Sequence, residues 1–161
     1  TIMCLLPLLS IAQNTEMLDA QYGLMGLQFG DSLEVIETTY DSLVPQRNFE
    51  KKHRYRVPKP LMQFEGVSFE FTDILLYDNR LHSFYFRTAD KASSDALLAS
   101  FKTLYGEGKQ LDFSNNYKWV GDRVVLLFRE NVLSGKADVK VISKAMEKRF
   151  SKKWRQYDRQ W

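Results

Sequence analysis

The segment 67–88, "VSFEFTDILLYDNRLHSFYFRT", constrains the fold more than any other part of the chain. Val67, Phe69 and Phe71 alternate with Ser68, Glu70 and Thr72, the period-two pattern of a strand with one buried face. Tyr77-Asp78-Asn79-Arg80 has the composition of a tight hairpin turn, and residues 81–88 return as the partner strand. Rings on both faces of the return strand place it centrally in its sheet, covered on at least one side. A second hairpin is written in "YKWVGDRVVLLFRE", where Gly121-Asp122 is a two-residue loop with glycine first, suited to a type II′ turn. Its strands are 117–120 and 123–130. Strands linked in this way form an antiparallel sheet.

Helical patterns alternate with these strands. A short strand at 24–29 leads through Gly30 to Asp31 or Ser32, either of which caps a helix with Leu33, Ile36, Tyr40 and Leu43 on one stripe. Pro45 stops that helix. Asp90, Ser93 or Ser94 caps a second helix, with Leu97, Phe101, Leu104 and Tyr105 as its buried stripe and Gly106 as its stop. A loop at 131–135 precedes a last strand at 137–142. The chain then ends in an amphipathic helix bearing Met146, Phe150, Trp154, Tyr157 and Trp161. The order predicts an α+β domain: an antiparallel β-sheet built from hairpins, helices packed on one face, and a C-terminal amphipathic helix. The length, 161 residues, suits one domain, and a 44% hydrophobic fraction supplies its core. Two halves, each a capped helix followed by a hairpin, are similar in outline but carry no residue-level repeat.

The first residues read differently. Residues 2–11 contain no charge, are too short to span a bilayer as a helix, and include Pro7. Ser10-Ile11-Ala12 has the small-residue spacing that a signal peptidase reads. The expectation is a signal-peptide remnant at 1–12, a flexible lead-in at 13–22 and a single domain at 23–161. A buried first strand or helix is the other reading of the same run. Cys4 is the one cysteine, and Ile2-Met3 lacks the small residues that precede a lipidated one. A chain cut after Ala12 has no disulfide and depends on packing. Export to the periplasm or beyond follows, with no second apolar segment to make the protein transmembrane.

Charge is unevenly placed. The formal net is +3, yet 46–60 and 144–161 each carry +5, so the remainder carries −7. Lys51, Lys52, Arg54 and Arg56 in the first segment, with Lys152, Lys153 and Arg155 in the second, make an anion-binding surface or merely a solvated face. Export argues against nucleic acid as the anion and in favour of an anionic envelope component, lipid headgroup or polysaccharide.

The search for chemistry assigns no catalytic, cofactor or metal residue. Gly23, Gly26 and Gly30 are spaced GxxGxxxG, which is neither a dinucleotide fingerprint nor a P-loop. Gly106-Glu107-Gly108-Lys109 follows a helix instead of opening one. His53 and His82 lack metal-ligand spacing, and His82 reads as a half-buried packing residue. No serine sits in a GxSxG elbow. Glu65, Glu70 and Asp73 crowd one strand region without defining a pair.

"GLQFGDSLEVI" resembles the strand–Phe-Gly–capped-helix opening of small exported proteins with the β-lactamase-inhibitor-like fold, which outer-membrane-assembly accessory lipoproteins share. "YDNRLHSFYF", "FKTLYGEGKQ" and "KWVGDRVVLLF" resemble later landmarks of uncharacterised Gram-negative envelope proteins with that fold. The resemblance spans about 23–150. The chain departs from the pattern in lacking a lipidated cysteine and in showing one clear helix, not a pair, before the first hairpin. The resemblance implies a noncatalytic binding or inhibitory module and transfers no active-site residue. The expected function is an exported module without cofactor that binds another macromolecule, with Tyr85, Phe84, Tyr117 and Trp119 as the rings of a binding face or, alternatively, of the core. The competing expectations are an envelope-surface binder acting through 46–60 and 144–161, and an exported hydrolase with acids converging in a cleft.

Overall fold

The computed structural model describes residues 15–24, 26–46, 48, 52–58 and 64–148. The segment 1–12 expected to be a signal-peptide remnant, Lys51, Lys152, Lys153, Arg155 and most of the expected terminal helix lie outside the described residues; residues 144–148 are helical.

The elements run α1 (Thr15–Gln21), β1 (Gly23–Leu24), β2 (Leu27–Gln28), α2 (Leu33–Thr39), β3 (Val44–Pro45), β4 (Lys52–Val57), β5 (Phe69–Tyr77), β6 (Arg80–Thr88), α3 (Lys91–Tyr105), β7 (Lys109–Gln110), β8 (Asn116–Val120), β9 (Val124–Glu130) and β10 (Ala137–Ser143). The protein is α+β, as the hairpin pattern predicts. Eight strands form one sheet in the order β3-β4-β5-β6-β10-β9-β8-β7, and every neighbouring pair is antiparallel. A helix followed by a four-stranded meander occurs twice, α2 with β3–β6 and α3 with β7–β10. The two meanders join at the β6–β10 pair.

Helix α3 packs on one face of the sheet because its stripe is apolar: Leu97, Phe101 and Tyr105 are buried there. The Phe101 ring stands edge-on to Trp119 and Phe128, with centroids 5.8 and 6.5 Å away. Of the three caps read from the sequence, Asp90 is the one used; its carboxylate accepts from Ser93 N at 2.7 Å. Ser94 instead donates to the Gly135 carbonyl at 2.7 Å and shares a hydrogen bond with Thr88, tying α3 to the β9–β10 loop. Gly106 ends the helix with φ 80°, and its carbonyl accepts from the Trp119 indole at 2.8 Å. In α2 the cap is Ser32, while Asp31 bonds back to Gln28 N.

Three stretches depart from the sequence reading. The expected flexible lead-in contains α1, whose Leu18 is buried and whose Gln21 accepts from the Tyr105 hydroxyl at 3.0 Å. Two helices therefore precede the hairpin at 69–88. The strand expected at 24–29 is a two-stranded ribbon, β1–β2, because Gly26 turns the chain at positive φ. The basic stretch holds strand β4, since Val57 is buried and the residues between Lys52 and Val57 pair with β5.

The β8–β9 turn also departs from the expected Gly121-Asp122 type II′ loop: Val120 pairs with Val125 and Gly121 N donates to the Val124 carbonyl, so Asp122 and Arg123 form the loop and Gly121 is not at positive φ. This turn is closed by a side chain from far away in sequence. The Asp19 carboxylate of α1 accepts from the backbone N–H groups of Asp122, Arg123 and Val124, the last two at 2.8 and 2.9 Å. Successive N–H groups pointing one way form an anion-binding concavity. Here the protein fills it with its own acid.

Candidate functional site

The face of the sheet opposite α3 carries charged and aromatic side chains. Two register shifts between β5 and β6 decide which ones. Phe69 pairs with Thr88 but Phe71 pairs with Arg87, so Glu70 is an extra residue on β5. A bulge of this kind reverses the facing of everything beyond it. Phe69 accordingly packs on Phe86 in the core at 5.2 Å, while Phe71 turns to the open face. The sequence pattern had set Val67, Phe69 and Phe71 on one face, and the bulge corrects that assignment. A second shift, with Leu75 opposite Ser83 and Leu76 opposite Leu81, makes His82 the extra residue on β6.

Phe71 lies between two guanidinium groups, Arg56 at 4.5 Å and Arg87 at 5.3 Å from its ring centroid. Arg54 lies 4.9 Å from the Tyr85 ring centroid. Each arginine is held by an acid. Asp73, only 1% exposed, accepts from Arg54 Nε and Arg56 Nε, both at 2.7 Å, and from Arg56 Nη2 at 3.2 Å. Asp138 accepts from Arg87 Nε at 2.7 Å and from the Tyr85 hydroxyl at 2.8 Å. The hydrogen bond to Asp73 holds the Arg56 pKa above its ordinary value, and the bond to Asp138 does the same for Arg87. Burial, then the Asp138 bond, raises the Tyr85 hydroxyl above the usual phenol range. Arg56 and Arg87 thus stay charged and the phenol stays neutral. Gln46, Arg54, Arg56, Phe71, Asp73, Tyr85 and Arg87 line a depression of about 300 Å³.

The register extends the positive charge across the sheet. Opposite Tyr85 on β10 is Lys140, opposite Lys140 on β9 is Leu127, then Lys118 on β8 and Lys109 on β7. One row along, Asp138 faces Arg129. Cations outnumber acids on this face.

Of the four rings read as a binding face, only Tyr85 lies on the open side. Phe84 and Trp119 are 0% exposed and belong to the core; Tyr117 is partly buried, stacked on Trp119 at 5.9 Å with Lys102 over it at 4.6 Å. In a strand, alternate residues take opposite faces, so Phe84 and Tyr85 could not share one. Of the cations, Lys52, Arg54 and Arg56 come together on β4. Phe71, Arg87 and Asp138 were missed: Phe71 reaches this face through the bulge at Glu70, and Arg87 meets Asp138 through the pairing of β6 with β10.

His82 is buried, more deeply than the half-buried packing residue expected from sequence. Burial first, then the charges of Lys140 and Lys52, push its pKa down to about 4. Glu70 bonds Lys136 at 2.7 Å and Glu65 lies in an exposed turn. Among the described residues no three histidine, cysteine or acidic side chains gather as a metal site would need, and no helix is long and apolar enough to cross a membrane. Compared with known proteins, the chain matches no family model, no curated protein and no solved structure.

Proposed function

We propose that the protein is an exported, noncatalytic module that binds another macromolecule through the open face of its sheet. One observation carries the reading: Arg56, Phe71 and Arg87 form a stack facing solvent, beside Arg54 on Tyr85, and both sets are held in place by acids. Arginine and aromatic side chains dominate the energetics of binding surfaces, and rings already stacked lose little freedom when a partner arrives. The surplus of cations suits an acidic segment on that partner. Export is supported by the uncharged run before Ala12. The noncatalytic reading is supported by Asp73 and Asp138, whose oxygens are taken up by arginine and tyrosine instead of pointing together at a substrate.

A second reading, an envelope-surface binder of anionic lipid or polysaccharide through 46–60 and 144–161, is favoured by Lys52, Arg54 and Arg56, which share one strand and a spacing of two. An envelope extract passed over the immobilised protein and over an Arg54→Ala/Tyr85→Ala/Arg87→Ala variant tests the first reading. Retention of a defined protein by the wild type and its loss by the variant, at unchanged far-UV circular dichroism, is the expected result. Equal retention by both overturns it. Retention of lipid or polysaccharide, but of no protein, supports the second reading.

A further inference from the structure

Two loops at one end of the sheet display large apolar side chains that no described residue covers. Loop 111–115 enters β8 and loop 131–136 joins β9 to β10. They are neighbours because Asn116 pairs with Arg129 and Glu130 with Ala137. Phe113 is 109% exposed, Leu133 99% and Val132 80%. Side chains this exposed stand away from the body of the protein, each available in full to a partner.

The loops are held in shape. In the first, Asp112 accepts from Ser114 N at 2.9 Å and from Asn116 Nδ2 at 2.8 Å, and Leu111 N donates to the Asn116 carbonyl. In the second, Asn131 Oδ1 accepts from Leu133 N and Ser134 N, both at 3.0 Å, and Gly135 N donates to the Asn131 carbonyl. Asn115 Nδ2 reaches Glu130 at 3.1 Å and links the two loops. Little ordering remains to be done on docking.

Charge beside the tip has one sign left over. The acids are engaged within the protein: Asp112 in its own loop, Glu130 by Lys91 and Asn115. Lys109 and Lys118 face one another across β7 and β8, and Arg129 is exposed near Asp112; none of the three makes an ion pair among the described residues. Like charges directly opposite in a sheet repel, and an anionic surface relieves them.

We infer that Phe113, Val132 and Leu133 dock this end of the sheet into the interface of a lipid bilayer bearing anionic headgroups. A convex apolar tip needs a partner that yields around it, as a bilayer interface does. The depression on the open face is lined by arginines and offers such a tip no apolar hollow on a second copy of the chain. The inference goes beyond the proposed macromolecule-binding reading: Phe113, Val132 and Leu133 lie in loops outside that face, and only the cations Lys109 and Lys118 belong to both.

The test is co-sedimentation of the full chain with vesicles of phosphatidylcholine alone and of phosphatidylcholine mixed with phosphatidylserine. The wild type is compared with Phe113→Ser/Leu133→Ser and with Arg54→Ala/Arg87→Ala, all carrying the same residues 1–22. The tip variant is expected to lose about tenfold or more in partitioning onto the mixed vesicles, since burial of two such side chains is the main apolar term. A Lys109→Gln/Lys118→Gln variant is expected to bind the mixed vesicles more weakly and with less salt dependence. Equal partitioning of tip variant and wild type overturns the inference. So does loss confined to the Arg54→Ala/Arg87→Ala variant, or self-association in sedimentation velocity that the tip variant abolishes. A protein partner captured through Arg54, Tyr85 and Arg87 survives the tip variant, so the two readings fail separately.

Discussion

The Asp19 carboxylate and the Gly121 backbone approach so closely that a Cβ at Gly121 would lie 2.4 Å from the carboxylate oxygens. The glycine read from sequence as a hairpin residue is also the opening that admits α1 to the sheet. Asp19→Ala removes the acceptor for three N–H groups at once and is expected to cost about 1–3 kcal/mol, by the usual value of a charge-assisted bond at a partly exposed site. Gly121→Ala expels the same carboxylate and is expected to cost a similar amount. The two together should cost little more than either alone, because one interaction is lost in both. Urea midpoints of the two single variants and the double variant measure this; full additivity contradicts it.

Gly108 has φ +72° and lies against the Trp119 indole, where an added Cβ would meet ring atoms at 2.6–2.9 Å. Helix α3 ends and the chain passes under that ring, which explains glycines at both 106 and 108 without any phosphate. Gly108→Ala is expected to lose about 2–4 kcal/mol, from left-handed backbone strain and overpacking together. The urea midpoint should fall with the slope unchanged.

The hairpin turn was legible because Asp78 and Asn79 both take positive φ, the conformation that their residue types favour in a two-residue loop. Helix α3 was legible because its cap, stripe and glycine stop agree. Strand β4 was obscured by its own charges: Arg54 and Arg56 face the arginine–aromatic cluster, so the alternation with Tyr55 and Val57 looked like a solvated basic run. Helix α1 has only seven residues and one buried side chain, Leu18, too little for a period to show. The site was least legible. Phe71 changes face through a bulge, and Arg87 meets Asp138 through a strand order that no local pattern encodes.

Asp73 stands between Arg54 and Arg56 and is nearly enclosed, whereas both arginines keep about a third of their side-chain surface in water. Asp73→Ala leaves two cations facing each other over Phe71 and Tyr85. The expected cost is about 2–3 kcal/mol, the upper range for hydrogen bonds to charged groups. For a chain of this size that lowers the melting temperature by roughly 4–12 °C. Added to Arg54→Ala, the same change should cost less than it does alone. A double-mutant cycle from thermal denaturation reads the coupling directly.

His82 gives stability a pH dependence of known sign. Its pKa falls from an ordinary 6.5 to about 4 in the folded chain, because burial and the nearby Lys140 and Lys52 oppose a further positive charge. The unfolded chain therefore binds the proton more readily. Stability from the neutral imidazole is fully present above pH 6.5 and is lost as pH falls from there through about 4. The full loss is of order 3 kcal/mol, from the size of the shift. Two measurements check it. The imidazole C2 proton of His82, followed by NMR, should titrate well below that of a histidine in an unstructured peptide. Urea unfolding at pH 7.5 and pH 4.5 should show a larger drop for the wild type than for His82→Gln, whose side chain does not titrate. If both proteins lose stability in parallel across that interval, carboxylates set the acid limit and the imidazole does not.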